Sequence, residues 1–190
     1  MANLLIVYAS DYGSTKKAAE AVAAGVATVN GCTATIREAE KATLDDLSAA
    51  DGLILGSPTH MGSMDWRVKK FIDTVTAAAW MKGIFIGRAG GVFMTGGGYG
   101  GSGGGCELTM LAMLNDLAEL GALIVPLPNS TPGYAKAGLQ WGPYGRSHAE
   151  DGKPIGLSDD KLEVFRHHGA NIARAAALLK GARIFQTQGG

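Results

Sequence analysis

The chain has 190 residues and 19.5 kDa, is 46% hydrophobic and 18% charged, and carries only six prolines, which fits one globular domain and excludes disordered, collagen-like and disulfide-scaffold classes. Seventeen Lys+Arg balance seventeen Asp+Glu, so no field of one sign draws it to nucleic acid or to an anionic membrane. The two cysteines, Cys32 and Cys106, make no disulfide framework, and no apolar run nears the roughly 18 residues of a membrane span, so a soluble, cytoplasmic protein is expected.

The apolar pattern alternates between two periods in chain order. Leu4–Ala9 is an unbroken apolar run, the mark of a strand buried on both faces. From Thr15, Ala18, Ala19, Val22, Ala23, Val26 and Val29 share one helix face, and Asn30-Gly31 ends it. Thr33–Arg37 reads as a second strand, and Thr43 as the cap of a short helical turn. Leu53-Ile54-Leu55 is the third strand, Val68, Phe71, Ile72 and Val75 the next helix face, and Val92-Phe93-Met94 the fourth strand. Leu108, Leu111, Leu114 or Leu117, and Leu120 predict a helix face stopped by Gly121, and Leu123-Ile124-Val125 the fifth strand. Residues 126–157 hold most of the prolines and no sustained period, a connection too long for a simple turn. A last helix starts at Ser158, with Leu162, Phe165, Gly169, Ile172, Ala173, Ala176 and Leu179 on one face. These units predict a single α/β domain over 1–181 and a 182–190 tail.

In such sheets ligands sit beyond the carboxyl ends of the strands, and three loops there are unusual. Ser10-Asp11-Tyr12-Gly13-Ser14-Thr15 is a tight, hydroxyl-rich turn opening into a helix, whose hydroxyls and unpaired amides can converge on a phosphate or simply cap the helix. It matches neither Gly-x-x-x-x-Gly-Lys-Ser/Thr nor Gly-x-Gly-x-x-Gly, which favours a mononucleotide over a nucleoside triphosphate or dinucleotide. In Gly56–Met64, Pro58 and Gly62 set a rigid turn around Thr59, His60 and Met61. Thr95-Gly96-Gly97-Gly98 opens a glycine-rich stretch, either a close approach to a ligand or a surface loop.

Taken in order, Ser10-x-Tyr12-Gly13-Ser14-Thr15, Pro58-Thr59-x-x-Gly62 and Thr95-Gly96-Gly97-Gly98 resemble the strand-end loops of flavodoxin-like FMN proteins. With Trp80, Gly103-Gly104-Gly105-x-Glu107, Ile124-Val125-Pro126, Gly142-Pro143-Tyr144-Gly145 and Asp151-Gly152, the chain resembles WrbA-type NAD(P)H:quinone oxidoreductases from about Leu4 to Gly181. The resemblance implies a three-layer flavodoxin-like sandwich, a five-stranded parallel sheet in order 2-1-3-4-5 with helices on both faces. It implies FMN as cofactor and NADH or NADPH as co-substrate, with two-electron reduction of a quinone by ping-pong hydride transfer through flavin N5. Residues 10–15 would hold the FMN phosphate, Pro58, Thr59, His60, Met61 and Gly62 border the ring, and Met94–Gly98 meet its pyrimidine edge. Trp80, Tyr12 and His60 would face the substrates, and the chain would form a homotetramer.

The sequence departs from the family pattern in three places. His60 stands where Arg is common, Glu119-Leu120 where a His is often found, and Gly98–Ser102 adds a Gly-Tyr-Gly-Gly-Ser stretch. A one-electron flavodoxin-like carrier and a non-catalytic flavin-binding protein are the competing readings. Cys106 lies at an expected helix start, where a thiol pKa can fall, but it reads first as a structural or incidental residue. His148, His167 and His168 receive no role, and no metal site is expected.

Overall fold

The computed structural model describes residues 1–98 and 103–186; residues 99–102 of the glycine stretch and the last four of the 182–190 tail lie outside the described residues. Strand β1 (Ala2–Tyr8) lies in the middle of the sheet. It pairs in parallel with β2 (Cys32–Glu38) on one side and with β3 (Gly52–His60) on the other. Its period-two alternation divides the core: Leu4, Ile6 and Tyr8 face one helical layer, Leu5 and Val7 the other. That double burial is why the run contains no polar residue. Beyond β3 comes β5 (Ala89–Gly96), also parallel and buried throughout.

The fifth position of the sheet is shared by two short strands, a refinement of the expected single strand over 123–125. β6 (Leu123–Ile124) pairs with Ala89 and Gly90, and β8 (Gly142–Arg146) pairs with Met94, Thr95 and Gly96. Pro126 and Pro128 stop β6, because proline cannot donate to a ladder. The chain then leaves through α6 (Tyr134–Ala137) and β7 (Gly138–Leu139) and returns as the antiparallel β7–β8 hairpin. The flavodoxin-like order 2-1-3-4-5 therefore holds, with its last place filled by two pieces of chain, and the 126–157 segment contributes to the sheet.

One helical layer holds α1 (Ser14–Ala27) and α7 (Asp159–Leu179), which cross closely. A Cβ on Gly169 would lie 2.1 Å from the Val22 carbonyl oxygen, and one on Gly25 1.9 Å from that of Arg166, so only glycine admits this approach. Phe93 and Phe165 meet edge to face beneath the crossing. The adjacent histidines of α7 part company there: His167 lies near Glu163, whereas His168 is fully buried. Burial pushes the His168 pKa down to about 4 despite the nearby Val92 backbone, so the ring stays neutral.

The other layer holds α2 (Leu44–Ser48), α3 (Trp66–Phe71), α4 (Ala77–Trp80) and α5 (Cys106–Glu119). Thr43 caps α2 as expected, in a reciprocal box with Asp46. A π-helical turn at Ile72–Thr76 joins α3 to α4; Val68, Phe71 and Ile72 are buried as expected, Val75 packs partly buried against the same core, and the shifted phase buries Thr76 as well. The face of α5 follows the leucine pattern at Leu114, Leu117 and Leu120, all buried, and departs from it earlier in the helix. Cys106, Met110, Met113 and Leu117 point inward, while Leu108 is 68% exposed and Leu111 also faces out. Among the described residues, no helix is long and apolar enough to cross a membrane.

Candidate functional site

At the carboxyl ends of β1, β3, β5 and β8 lies a cavity of about 250 Å³. Its first wall is the turn between β1 and α1. Gly13 takes the left-handed conformation (φ 85°), which a side chain would oppose, and this bends the chain straight into the helix. Ser10 Oγ accepts from the amides of Gly13 (3.1 Å) and Lys16 (3.3 Å), holding the turn closed. The next two amides, of Ser14 and Thr15, donate to no group among the described residues. A helix start leaves such donors unpaired unless a cap or ligand takes them. Thr15 Oγ1 lies 2.8 Å from Thr95 Oγ1 in a buried hydroxyl pair that fastens the start of α1 to the end of β5.

The second wall is the β3–β4 hairpin, in which His60 pairs with Ser63 of β4 (Ser63–Met64). Met61 (φ 49°) and Gly62 (φ 79°) form its two-residue turn, whose positive φ values match a type I′ geometry, and the Met61 side chain is fully exposed. Behind it runs a chain of ion pairs between residues distant in sequence. Asp65 caps α3 by accepting from the Arg67 amide (2.8 Å), and Ser57 Oγ accepts from the Asp65 amide (2.9 Å). The Arg67 guanidinium bridges Asp65 (2.7 Å) to Asp11 (2.6 Å), while His60 lies 3.1 Å from Asp65 and 3.5 Å from Asp11. Burial alone would raise the Asp65 pKa, but its hydrogen bonds to Arg67 overcome this and hold the carboxyl below its usual range. Those bonds in turn push the Arg67 pKa up. Asp11, His60 and Asp65 thus form a tight cluster the sequence did not disclose, and the guanidinium already meets its negative charge.

The floor is β5. Thr95, Gly96 and Gly97 line the cavity, and Met94 lies buried beneath, 4.0 Å from Thr59 Oγ1. The third wall was not anticipated: Ser147, His148 and Pro154, from the loop that follows β8. The Ser147 amide and hydroxyl both donate to the Gly96 carbonyl (2.9 and 3.2 Å), and His148 bridges antiparallel to Pro154. Arg146 Nε donates to Gly97 O (3.2 Å), so this loop braces the glycine strand end.

The structure therefore brings Ser10, Asp11, Tyr12, Ser14, Thr15, Pro58, Thr59, His60, Thr95, Gly96 and Gly97 around one cavity, with Gly13, Met61, Gly62, Met94 and Gly98 adjoining them in sequence. Within one chain Trp80 lies elsewhere, in a separate groove with Ile72, Asp116 and Leu120, and is 55% exposed. Leu120, at the position where the family often carries a histidine, is buried. Cys106 is also buried, which pushes its thiol pKa up, with the Glu107 charge adding to the effect, as suits a structural residue. Two unpaired amides, converging hydroxyls and a side-chain-free strand end suit a phosphate monoester at one end and a flat ring at the other. A mononucleotide fits this donor set.

Comparison with known proteins agrees with that geometry. The flavodoxin-domain family profile matches residues 5–85. The NAD(P)H dehydrogenase (quinone) of Solidesulfovibrio magneticus is 33% identical over 205 aligned positions, covering 94% of this chain and 99% of its own length. That of Geobacter sulfurreducens is 35% identical, covering 94% and 100%. Among solved structures, a flavodoxin, WrbA-like protein from Agrobacterium tumefaciens is similar with a TM-score of 0.70 at 29% identity, over 94% of this chain and 99% of that one.

Proposed function

Because the chain belongs to the flavodoxin-like NAD(P)H dehydrogenase (quinone) family, we propose that it binds FMN in this cavity and reduces quinones with electrons from NADH or NADPH. The observation that carries the reading is the start of α1, where the unpaired Ser14 and Thr15 amides sit beside the Ser10, Ser14 and Thr15 hydroxyls. Hydrogen bonds to a charged group contribute roughly 1.5–3 kcal/mol each, so a few of them anchor a phosphate. FMN, when bound, supplies two-electron hydride exchange at N5, with donor and acceptor taking turns at the ring.

The residues of the chain bind and orient. Ser10–Thr15 hold the phosphate, Pro58–Gly62 border the ring on the β3 side, and the backbone of Met94–Gly98 meets its pyrimidine edge. Arg67 ties the phosphate loop to the end of the ring-side hairpin by joining Asp11 to Asp65. Tyr12, 82% exposed at the rim, offers a stacking surface to the nicotinamide nucleotide. Trp80 borders the quinone, supplied to the cavity of a neighbouring copy in a homotetramer. Its exposure beside Met81, and that of Leu108 and Leu111, supports this assembly. No acid or base side chain is required.

Initial velocities of NADH and NADPH oxidation at several benzoquinone concentrations test the reading. Parallel double-reciprocal lines, with turnover that depends on added FMN, are expected. Intersecting lines would remove the alternating-substrate step, and absence of turnover with either nucleotide would remove the enzyme assignment.

A further inference from the structure

The third wall of the cavity carries a residue that neither the loop motifs nor the family pattern points to. Among the described residues that line the cavity there is no lysine or arginine, and its only side chains able to carry positive charge are His60 and His148. His60 lies against the carboxylates of Asp11 and Asp65. His148 is held differently. Ser147 Oγ donates its single proton to Gly96 O (3.2 Å) and so accepts from His148 Nδ1 (3.0 Å). This commits the Nδ1 proton to Ser147 and orients the ring from a strand end, so a second hydrogen bond is donated from Nε2–H of the imidazolium.

Its loop is tied to the strand end that also meets the start of α1. Gly145 lies opposite Thr95 and Arg146 opposite Gly96, so His148 lies just past the carboxyl end of β8, three residues beyond the partner of Thr95. Thr95 is the residue bonded to Thr15 at the start of α1. The ring loop Pro58–His60 belongs to β3, on the opposite side of β5. We propose that His148 is a cofactor-binding residue that donates a hydrogen bond to the phosphate of FMN, completing from β8 an anion site that α1 begins with amides and hydroxyls. A phosphate monoester brings a charge of about −1.5 to −2 at neutral pH, and an imidazolium donor meets it in a cavity whose carboxylate, Asp11, is already paired with Arg67. The inference rests on the FMN reading above.

Comparison of FMN with riboflavin, which lacks only the phosphate, tests it. Dissociation constants of both are measured by flavin fluorescence quenching on apo-protein of the wild type, His148→Ala and His148→Gln, with thermal melts of each. Removing the side chain leaves Ser147 bonded to Gly96, so the cavity floor is retained. The expected result is FMN binding weakened about tenfold or more in His148→Ala, riboflavin binding unchanged, and partial recovery in His148→Gln, which keeps a donor. Equal weakening of both flavins would place His148 against the ring or in a structural role and overturn the proposal. Unchanged FMN affinity would overturn it too, including where only the KM for NADPH rises, which would move the contact to the nicotinamide nucleotide. Failure of the wild type to bind FMN would instead overturn the functional reading itself.

Discussion

On one face of the sheet α1 and α7 approach to backbone contact through Gly25 and Gly169, close enough to leave a histidine dry between helix and strand. On the other, a π-helical turn interrupts the layer between α3 and α4, and Trp66, Trp80, Leu108 and Leu111 stand outside the core. The difference is one of completeness. Among the described residues the α1/α7 layer leaves one large apolar side chain exposed, Leu178 near the end of α7, whereas the α3–α5 layer presents Trp66, Trp80, Leu108 and Leu111 and a groove of about 270 Å³ beside Trp80. Exposed apolar surface of this kind is characteristic of a face that meets a partner, which is where the proposed homotetramer would form.

The largest contrast between the layers should come from Gly169→Val. The new Cβ meets the Val22 carbonyl oxygen, a backbone atom that cannot rotate away, so the helices must separate. A loss above about 3 kcal/mol in chemical denaturation is expected, or failure to fold. A loss below 1 kcal/mol would show that the crossing has slack.

Acid should attack the same layer. The folded-state pKa of His168, about 4, lies below the unfolded value of about 6.5. The unfolded chain therefore binds the proton first, and stability complete above pH 6.5 is lost as pH falls toward 4, by about 3 kcal/mol in total. Denaturation curves across that window should show the slope in the wild type and lack it in His168→Leu. Asp65 acts in a lower window: its folded pKa is depressed, so its contribution is present above the ordinary aspartate range and fades only as pH falls below it.

In the open layer, Arg67→Met leaves the buried Asp65 carboxylate without its main partner and should cost about 2 kcal/mol, less than a fully buried pair because Asp11 is exposed. Adding Asp65→Asn should restore part of the melting temperature; no recovery would mean that Arg67 acts through packing. The smallest effect on folding is expected for Leu108→Lys, within about 0.5 kcal/mol for the folded chain. The same substitution should lower the mass found by light scattering, and an unchanged mass would place the assembly on another face.

What could be read from the sequence followed the range of the signal. β1, α1 and the Thr43 cap were legible because an apolar run, a three-four spacing and a capping residue act within a few positions. On α5 the expected Leu114, Leu117 and Leu120 are buried, but Leu108 and Leu111 face out and Cys106, Met110 and Met113 face in, because helical period alone does not say which of two apolar stripes turns inward. The second half of the fifth strand lay hidden because β8 returns to the sheet only after the β6 end and the proline-rich segment. The candidate site divides in the same way. Ser10–Thr15, Thr59-His60 and Thr95–Gly97 are contiguous motifs and line one cavity, whereas the Arg67–Asp11 pair spans 56 residues and Ser147-His148 reaches the cavity only through strand pairing. No local spacing encodes either.

The central claim is a flavin held at the start of α1 and reduced by a nicotinamide nucleotide. The most direct test is the visible spectrum of the purified chain with added FMN, followed anaerobically through addition of NADH or NADPH and then benzoquinone. The account predicts a perturbed flavin spectrum that bleaches with the nucleotide and returns with the quinone. Failure to bind FMN, or a bound flavin that neither nucleotide bleaches, would contradict it.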